Sequence, residues 1–130
     1  MKTLNKAILI LFISFVSSYA FSQAQLKIKN ISLRTMTVKV MFNSGGVYKT
    51  VTIEPYGSEI VYFNSTGYYY TKTKAVYPNK STIYQKGKAF EVYNGSDGYS
   101  VLTITFSINE TSESEITGGK QISKEEFDKN

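Results

Sequence analysis

The feature that most constrains the fold is a two-residue alternation of apolar and polar side chains, which recurs along residues 25–109. Because successive side chains of a β-strand point to opposite faces, this alternation predicts strands with one face in a core. In TMTVKVMF (35–42) the residues expected in the core are Met36, Val38, Val40 and Phe42. In YSVLTITFSI (99–108) they are Leu102, Ile104, Phe106 and Ile108. In QLKIKN (25–30) they are Leu26 and Ile28.

Short stretches rich in Gly, Asn and Pro separate these strands. They are NSGG (43–46), EPYG (54–57), NSTG (64–67) and NGSDG (94–98). Such residues favour tight turns, and strands at roughly ten-residue spacing are typical of a sandwich. We therefore predict an all-β fold, an antiparallel β-sandwich of seven to eight strands with an immunoglobulin-like arrangement. A small closed β-barrel is the second alternative, and the strand order is not predictable from one sequence.

Residues 1–24 have the parts of a secretory signal peptide: two lysines, the apolar run AILILFISFV (7–16) and a small-residue exit. The apolar run is shorter than the roughly 20 residues that span a bilayer, so we expect no permanent membrane anchor. Cleavage after Ala20 and cleavage after Ala24 both fit the small-residue pattern, and we favour Ala24. The expected location is periplasmic or extracellular, in soluble form.

The sequence has no histidine and no cysteine. The usual general base near neutral pH, the thiolate nucleophile and the preferred ligands of zinc, copper and iron are therefore absent. The carboxylates of residues 25–109 are Glu54, Glu59, Glu91 and Asp97. They are few and sit at turn or outward strand positions, so we predict neither an enzyme, nor a cofactor, nor a metal site. Nucleic acid is not an expected partner, since the chain is predicted to be exported and holds one arginine, Arg34.

Charge divides the chain into two compositional units. Residues 25–109 carry ten lysines and arginines against four acids, a balance of +6, whereas residues 110–130 carry three lysines against six acids, a balance of −3. The second unit is predicted to be an acidic, flexible tail. Ser123 followed by Glu126 is a capping pattern for a short helix around Lys124 to Lys129. A frayed terminus is the favoured interpretation, and the alternative is a segment that docks Ile122 and Phe127 on the sandwich or on a partner.

The stretch GYYYTKTKAVYP (67–78) is the main candidate for a binding surface. On a strand, one face would carry Tyr68, Tyr70, Lys72 and Lys74. Because unpaired lysines are almost never fully buried, this face should point to solvent. It is interpreted either as an ordinary sheet surface or as an aromatic and cationic platform. Such a platform would bind a protein, or a glycan whose rings stack on the tyrosines.

Several stretches resemble small uncharacterised secreted β-domain proteins of Bacteroidota. They are FSQAQ, YKTVTIEPYGSEIVYF, TGYYYTKTKA and GYSVLTITFSI. The resemblance spans residues 25–109 and implies a bacterial envelope setting, but no activity. We therefore expect an exported, non-catalytic binding or structural module of the bacterial envelope that interacts with another protein. Glycan or cell-wall binding through Tyr68, Tyr70, Lys72 and Lys74 is the alternative.

Overall fold

The computed structural model of this chain describes residues 23–110 and 115–130. Most of the predicted signal peptide lies outside the described residues, as do residues 111–114 of the predicted tail. The strands are β1 Gln25–Ile31, β2 Thr35–Phe42, β3 Val47–Ile53, β4 Ser58–Tyr62, β5 Gly67–Val76, β6 Ile83–Gly87, β7 Phe90–Val92, β8 Asn94–Gly95, β9 Gly98–Tyr99, β10 Val101–Asn109, β11 Glu115–Ile116 and β12 Gly119–Gln121. One helix of the described residues, α1, spans Lys124–Asp128.

The described strands form two main sheets and a small β8–β9 hairpin. The large sheet has the order β12–β6–β5–β2–β3, with β7 paired to the first residues of β5, and the small sheet has the order β11–β10–β1–β4. These described strands close into no barrel, so the predicted all-β sandwich is confirmed. One ladder departs from the antiparallel expectation, since β1 and β10 are parallel. Parallel neighbouring strands need a long connection, and the chain between β1 and β10, which contains β2 to β9, provides it.

The core lies between the two sheets and receives residues from both. The small sheet contributes Leu26, Ile28, Val61, Phe106 and Ile116. The large sheet contributes Met36, Val38, Val40, Ile53, Tyr69, Ala75, Ile83 and Val92. Within the core Phe63 contacts Tyr69, with ring centroids 4.7 Å apart, and stacks on Tyr48 at 5.2 Å. This aromatic cluster adds directional ring contacts to the area that is buried.

Phe42 is a partial exception to the predicted core. Its ring contacts Tyr48 and Tyr69, as expected for the inward face, but Phe42 is 36% exposed. It is the last residue of β2, next to the turn, and the pairing of β2 with β3 shifts register between Val40 and Met41. Phe42 therefore lies at the rim of the core, while Met41 is buried on the opposite face.

A buried polar network joins the strands at one end of the sandwich. The guanidinium of Arg34 donates to both carboxylate oxygens of Glu110, at 3.1 and 2.9 Å, and to the carbonyls of Ala75 and Ser81. The side-chain amide of Asn30 donates to the carbonyl of Arg34 at 2.7 Å. Arg34 is fully buried, and this network pairs its charge and uses four of its five N–H donors.

The domain extends beyond both of its predicted boundaries. Ala24 is fully buried, and its carbonyl accepts a hydrogen bond from the Phe63 N–H at 2.9 Å. The Gln23 amide donates to the carbonyl of Phe63 at 3.0 Å. Beyond residue 109, β11 pairs with β10, and β12 pairs with β6. The placement of the domain within residues 25–109 is therefore too narrow.

Among the described residues, no helix is long and apolar enough to cross a membrane.

Candidate functional site

Strand β5 contains the tyrosine–lysine stretch and alternates as the sequence predicts. Its inward residues are buried; these are Tyr69, Thr71, Thr73 and Ala75. On the other face, Tyr68 is 57% exposed, while Tyr70 and Lys74 are half-buried. Lys72, in the middle of that face, is 2% exposed. The expectation that Lys72 points into solvent is therefore wrong. We call the side of the large sheet that carries Tyr68, Tyr70, Lys72 and Lys74 its outer face.

Four lysines on the outer face stand directly opposite one another across adjacent strands. Lys39 of β2 pairs with Lys72 of β5, Lys72 pairs with Lys86 of β6, and Lys86 pairs with Lys120 of β12. We call this set the lysine row. Cβ atoms of directly opposite residues are about 5 Å apart, and like charges at that separation destabilise a sheet. The lysine row therefore requires compensation by negative groups.

The C-terminal residues supply that compensation to half of the lysine row. The Lys72 Nζ donates to the carbonyls of Glu126 and Lys129, both at 2.7 Å. The Lys39 Nζ donates to the carbonyl of Phe127 at 2.8 Å and to the Oδ1 of Asn130 at 3.1 Å. Carbonyls at a helix C-terminus lack intrahelical partners and carry partial negative charge, so cations are favourable there. The two lysines thus serve as side-chain caps for α1.

Opposing influences act on the protonation of Lys72. Burial lowers the pKa of Lys72 below its usual value of 10.5, and the charges of Lys39, Lys86 and Lys129 lower this pKa further. The Glu126 carboxylate, 4.0 Å away, acts in the opposite direction. The hydrogen bonds to helix carbonyls favour the ammonium form that donates them. Lys72 is therefore a structural cation, and it is unavailable to an external ligand while α1 is docked.

Helix α1 is held on the sheet by an apolar contact as well as by charge. Phe127 is 4% exposed, and its ring lies 5.5 Å from the ring of Tyr84 and 4.6 Å from the Lys39 Nζ. The predicted capping pattern is confirmed, since the Ser123 hydroxyl accepts from the Glu126 N–H at 3.1 Å. The C-terminal segment is thus docked on the sandwich, as in the less favoured alternative, and Ile122 is half-buried beside it.

The other half of the lysine row is open. The Lys86 Nζ lies over the ring of Tyr70, 4.9 Å from its centroid, and Lys120 is exposed. A cleft of about 640 Å³ lies here, between the end of β6 and β12. Its lining residues are Lys86, Gly87, Lys88, Gly118, Gly119 and Lys120. Among the described lining residues there is no carboxylate, and the ammonium groups of its lysines have neither a hydrogen-bond nor an ion-pair partner among the described side chains.

The predicted aromatic and cationic platform is only partly present. Lys72 is covered by α1, and the Tyr70 ring is covered by Lys86. Of the two tyrosines of the predicted platform, Tyr68 is therefore the one whose ring is exposed. The hydroxyl of Tyr68 is hydrogen-bonded to Glu91, which raises the pKa of Tyr68 above 10.0. Lys74 lies near Asp128, whose pKa is lowered mainly by a hydrogen bond from Lys124. The four predicted residues share a face but form no single open surface.

The positions of the carboxylates give no support to a catalytic pair. Glu59 lies on β4 of the small sheet, whereas Glu91 lies on β7 of the large sheet and contacts Tyr68. Across the described part of the chain, no group of three or more acidic residues is arranged to hold a metal ion. The chemistry that the outer face can perform is recognition of negative charge.

The sequence reasoning missed three members of the site, Lys39, Lys86 and Lys120. Each occupies an outward position of its strand, but their alignment depends on strand order and register. No protein-family model matches this chain, and neither a curated protein nor a solved structure matches it. The fold and the site together define a β-sandwich with a basic outer face, and its function is inferred from that geometry.

Proposed function

We propose that this chain is an exported, non-catalytic binding module of the bacterial envelope that acts through the outer face of its large sheet. The observation that carries the proposal is the lysine row, which concentrates four positive charges across four adjacent strands. Such an arrangement costs folding free energy, because like charges face one another. A cost of this kind is common at sites that bind something of opposite charge.

The absence of histidine and cysteine from the sequence supports a binding role. A chain without histidine or cysteine lacks the most common proton shuttle and the most reactive nucleophile. The aligned lysines offer cations and hydrogen-bond donors instead. Lysine is also a flexible donor with three N–H groups, suited to recognition of oxygen atoms.

A protein with an acidic segment is the partner that the site favours. The covered half of the lysine row already holds an acidic segment of this chain, in which Glu125, Glu126 and Asp128 belong to α1. Lys39 and Lys72 bind its carbonyl oxygens, and Phe127 supplies the apolar anchor. A partner segment with several acids and one large apolar residue would match this surface in the same way.

A glycan or cell-wall polymer is the second candidate, and the exposed ring of Tyr68 is the observation that favours it. Tyr68 is 57% exposed near the start of β5, where a sugar ring could stack on it. This candidate is weaker than the first, because Tyr70 and Lys72 are covered and do not extend the platform.

The test is parallel capture of envelope proteins and of insoluble glycans by the purified mature protein. The informative variant is Lys74→Gln with Lys86→Gln, on the outer face. The matched control is Lys27→Gln with Lys29→Gln, which removes the same charge from exposed positions of β1 in the small sheet. We expect a defined protein to be retained by the wild type and the control but lost by the outer-face variant.

Two outcomes would contradict the protein-partner proposal. Equal loss of the captured protein in both variants would mean that only net charge matters. Retention on peptidoglycan that Tyr68→Ala weakens, with no protein captured, would establish the glycan candidate instead.

A further inference from the structure

We propose that the open half of the lysine row is a binding site for a ligand that carries two or more closely spaced phosphate groups. The site is the cleft between the end of β6 and β12, with Lys86, Lys88 and Lys120 as the cationic groups. This inference goes beyond the proposed protein partner, because it concerns the uncovered lysines alone and does not require a partner protein.

The two halves of the lysine row differ in one respect. In the covered half, Lys39 and Lys72 each donate to two oxygen atoms of the C-terminal segment. In the open half, Lys86 faces Lys120 across the β6–β12 ladder with no oxygen acceptor among the described residues. The same side-chain type in the same row therefore takes oxygen ligands where they are available. In the open half, Lys86 and Lys120 repel each other in the same way, and an external ligand could supply the oxygen atoms that bind them.

The backbone of the cleft is held in place by contacts beneath it. Gly87 and Gly119 face each other in the ladder, and a Cβ on Gly119 would collide with the Gln85 side-chain amide and with the Lys86 carbonyl oxygen. The buried Gln85 amide donates to the carbonyls of Ile116 and Thr117, at 3.2 and 2.8 Å. These contacts fix the approach of β12 to β6. The cleft is thus formed before a ligand binds, which lowers the entropic cost of binding.

The charge density of the cleft favours phosphate over carboxylate. Three lysines, Lys86, Lys88 and Lys120, line about 640 Å³, within the usual size range of ligand pockets. A phosphate monoester carries about −1.5 to −2 charges on three acceptor oxygens, so two such groups balance three lysines. A peptide would need three carboxylates in the same space. No arginine is available there for two-point recognition of carboxylates, since Arg34 is buried elsewhere. The described residues that line the cleft include no aromatic ring that could stack on a sugar.

The test is a titration of the purified mature protein with tripolyphosphate at two salt concentrations. Calorimetry measures the affinity, and amide NMR locates the binding site. We expect saturable binding that weakens at higher salt, with the largest shifts at Gly87, Gly118 and Gly119. The variant Lys88→Gln with Lys120→Gln should weaken binding about tenfold or more, since two charge-assisted contacts are lost. The control Lys27→Gln with Lys29→Gln should change the affinity less than about twofold. Citrate, a compact tricarboxylate, should bind more weakly than tripolyphosphate.

Three results would overturn the inference. They are the absence of saturable binding, an equal loss of affinity in the control variant, and citrate binding as tight as tripolyphosphate binding. Because the wild-type NMR map locates the site by itself, the test does not depend on the folding of any variant. Tripolyphosphate binding at the cleft without capture of an envelope protein would leave this inference standing and reject the proposed protein partner. The reverse pattern would reject the inference alone.

Discussion

Lys72 is nearly inaccessible to solvent although its neighbours on both adjacent strands are lysines. An ammonium group in such a position is stable only if oxygen atoms replace its water. The carbonyls of Glu126 and Lys129 do so, each 2.7 Å from the Nζ. At the scale of single residues, the outer face therefore depends on hydrogen bonds that cross 54 and 57 positions of the chain.

The first prediction concerns the protonation of Lys72. Because burial lowers its pKa, the unfolded chain binds the Lys72 proton more tightly than the folded protein does. The contribution of Lys72 to stability should therefore increase as pH rises from its lowered pKa toward 10.5. NMR titration of the lysine Nζ groups should show Lys72 losing its proton below that value. In a chain that ends at Ile122, which lacks α1, the pKa of Lys72 should rise. Titration of Lys72 at or above 10.5 in the intact protein would refute this.

The second prediction concerns Arg34, the buried cation of the polar network. Arg34→Met removes the donors to Glu110, Ala75 and Ser81, and it leaves their oxygens without this partner. We expect the free energy of unfolding to fall by about 3 kcal/mol, measured by urea denaturation. Lys80→Met is the control, because Lys80 is an exposed partner of Glu110 at 3.8 Å. It should cost less than about 1 kcal/mol. Equal effects of the two substitutions would contradict a structural role for the Arg34 network.

At the scale of elements, α1 is informative because it has five residues, too few to be stable alone in water. Its stability comes from three contacts of different kinds. Ser123 caps its N-terminus, Lys39 and Lys72 bind its C-terminal carbonyls, and Phe127 packs on Tyr84. Since each contact joins α1 to itself or to the large sheet, α1 should dock and undock as a unit.

The third prediction tests the docking of α1. Phe127→Ala removes the buried ring and should weaken docking by about 2 kcal/mol, because a fully buried Phe contributes about 1.5–3 kcal/mol. Hydrogen exchange at the amides of Phe127 and Lys129 should accelerate, since both belong to the helical hydrogen-bond ladder. The control Glu125→Ala changes an exposed residue of the same helix and should leave exchange nearly unchanged. Unchanged exchange in Phe127→Ala would show that the lysines alone hold α1.

At the scale of the whole molecule, the parallel pairing of β1 with β10 places the first described strand beside a strand that follows it by about 70 residues. The start of β1 lies next to the start of β10, and the other end of β10 pairs with β11. Ala24 lies just ahead of β1 and is inaccessible to solvent, with its N–H donating to the Asn94 Oδ1 at 3.4 Å. The described fold therefore includes residues that the favoured cleavage after Ala24 would remove.

The fourth prediction follows from this position of Ala24. A chain that begins at Gln25 loses the hydrogen bond from the Phe63 N–H to Ala24 and the bond from Gln23 to Phe63. We expect it to be about 2 kcal/mol less stable than a chain that begins at Phe21, by urea denaturation. We accordingly expect export to release a chain cleaved after Ala20. Intact mass measurement of the exported protein decides this, and a mature N-terminus at Gln25 would exclude it.

Much of the fold was predictable because its signals are local. Apart from Phe42 at the rim, the alternation in β2, β5 and β10 correctly assigned the inward residues, since side-chain direction in a strand follows from chain geometry alone. The Ser123 cap of α1 was predictable for the same reason, because donor and acceptor are three residues apart. The lack of histidine and cysteine chemistry also follows directly from composition.

The composition and alternation of the chain thus determine an all-β sandwich and the face on which the residues of β1, β2, β5 and β10 lie. The tertiary structure alone decides which outward residues meet one another and which of them are covered. Lys39, Lys72, Lys86 and Lys120 align because β2, β5, β6 and β12 are neighbours in one register. Lys72 is buried because a distant helix docks on it. Solvent exposure depends on how the layers assemble. The alternation along a single strand predicts the face of a residue, but not whether another element covers that face.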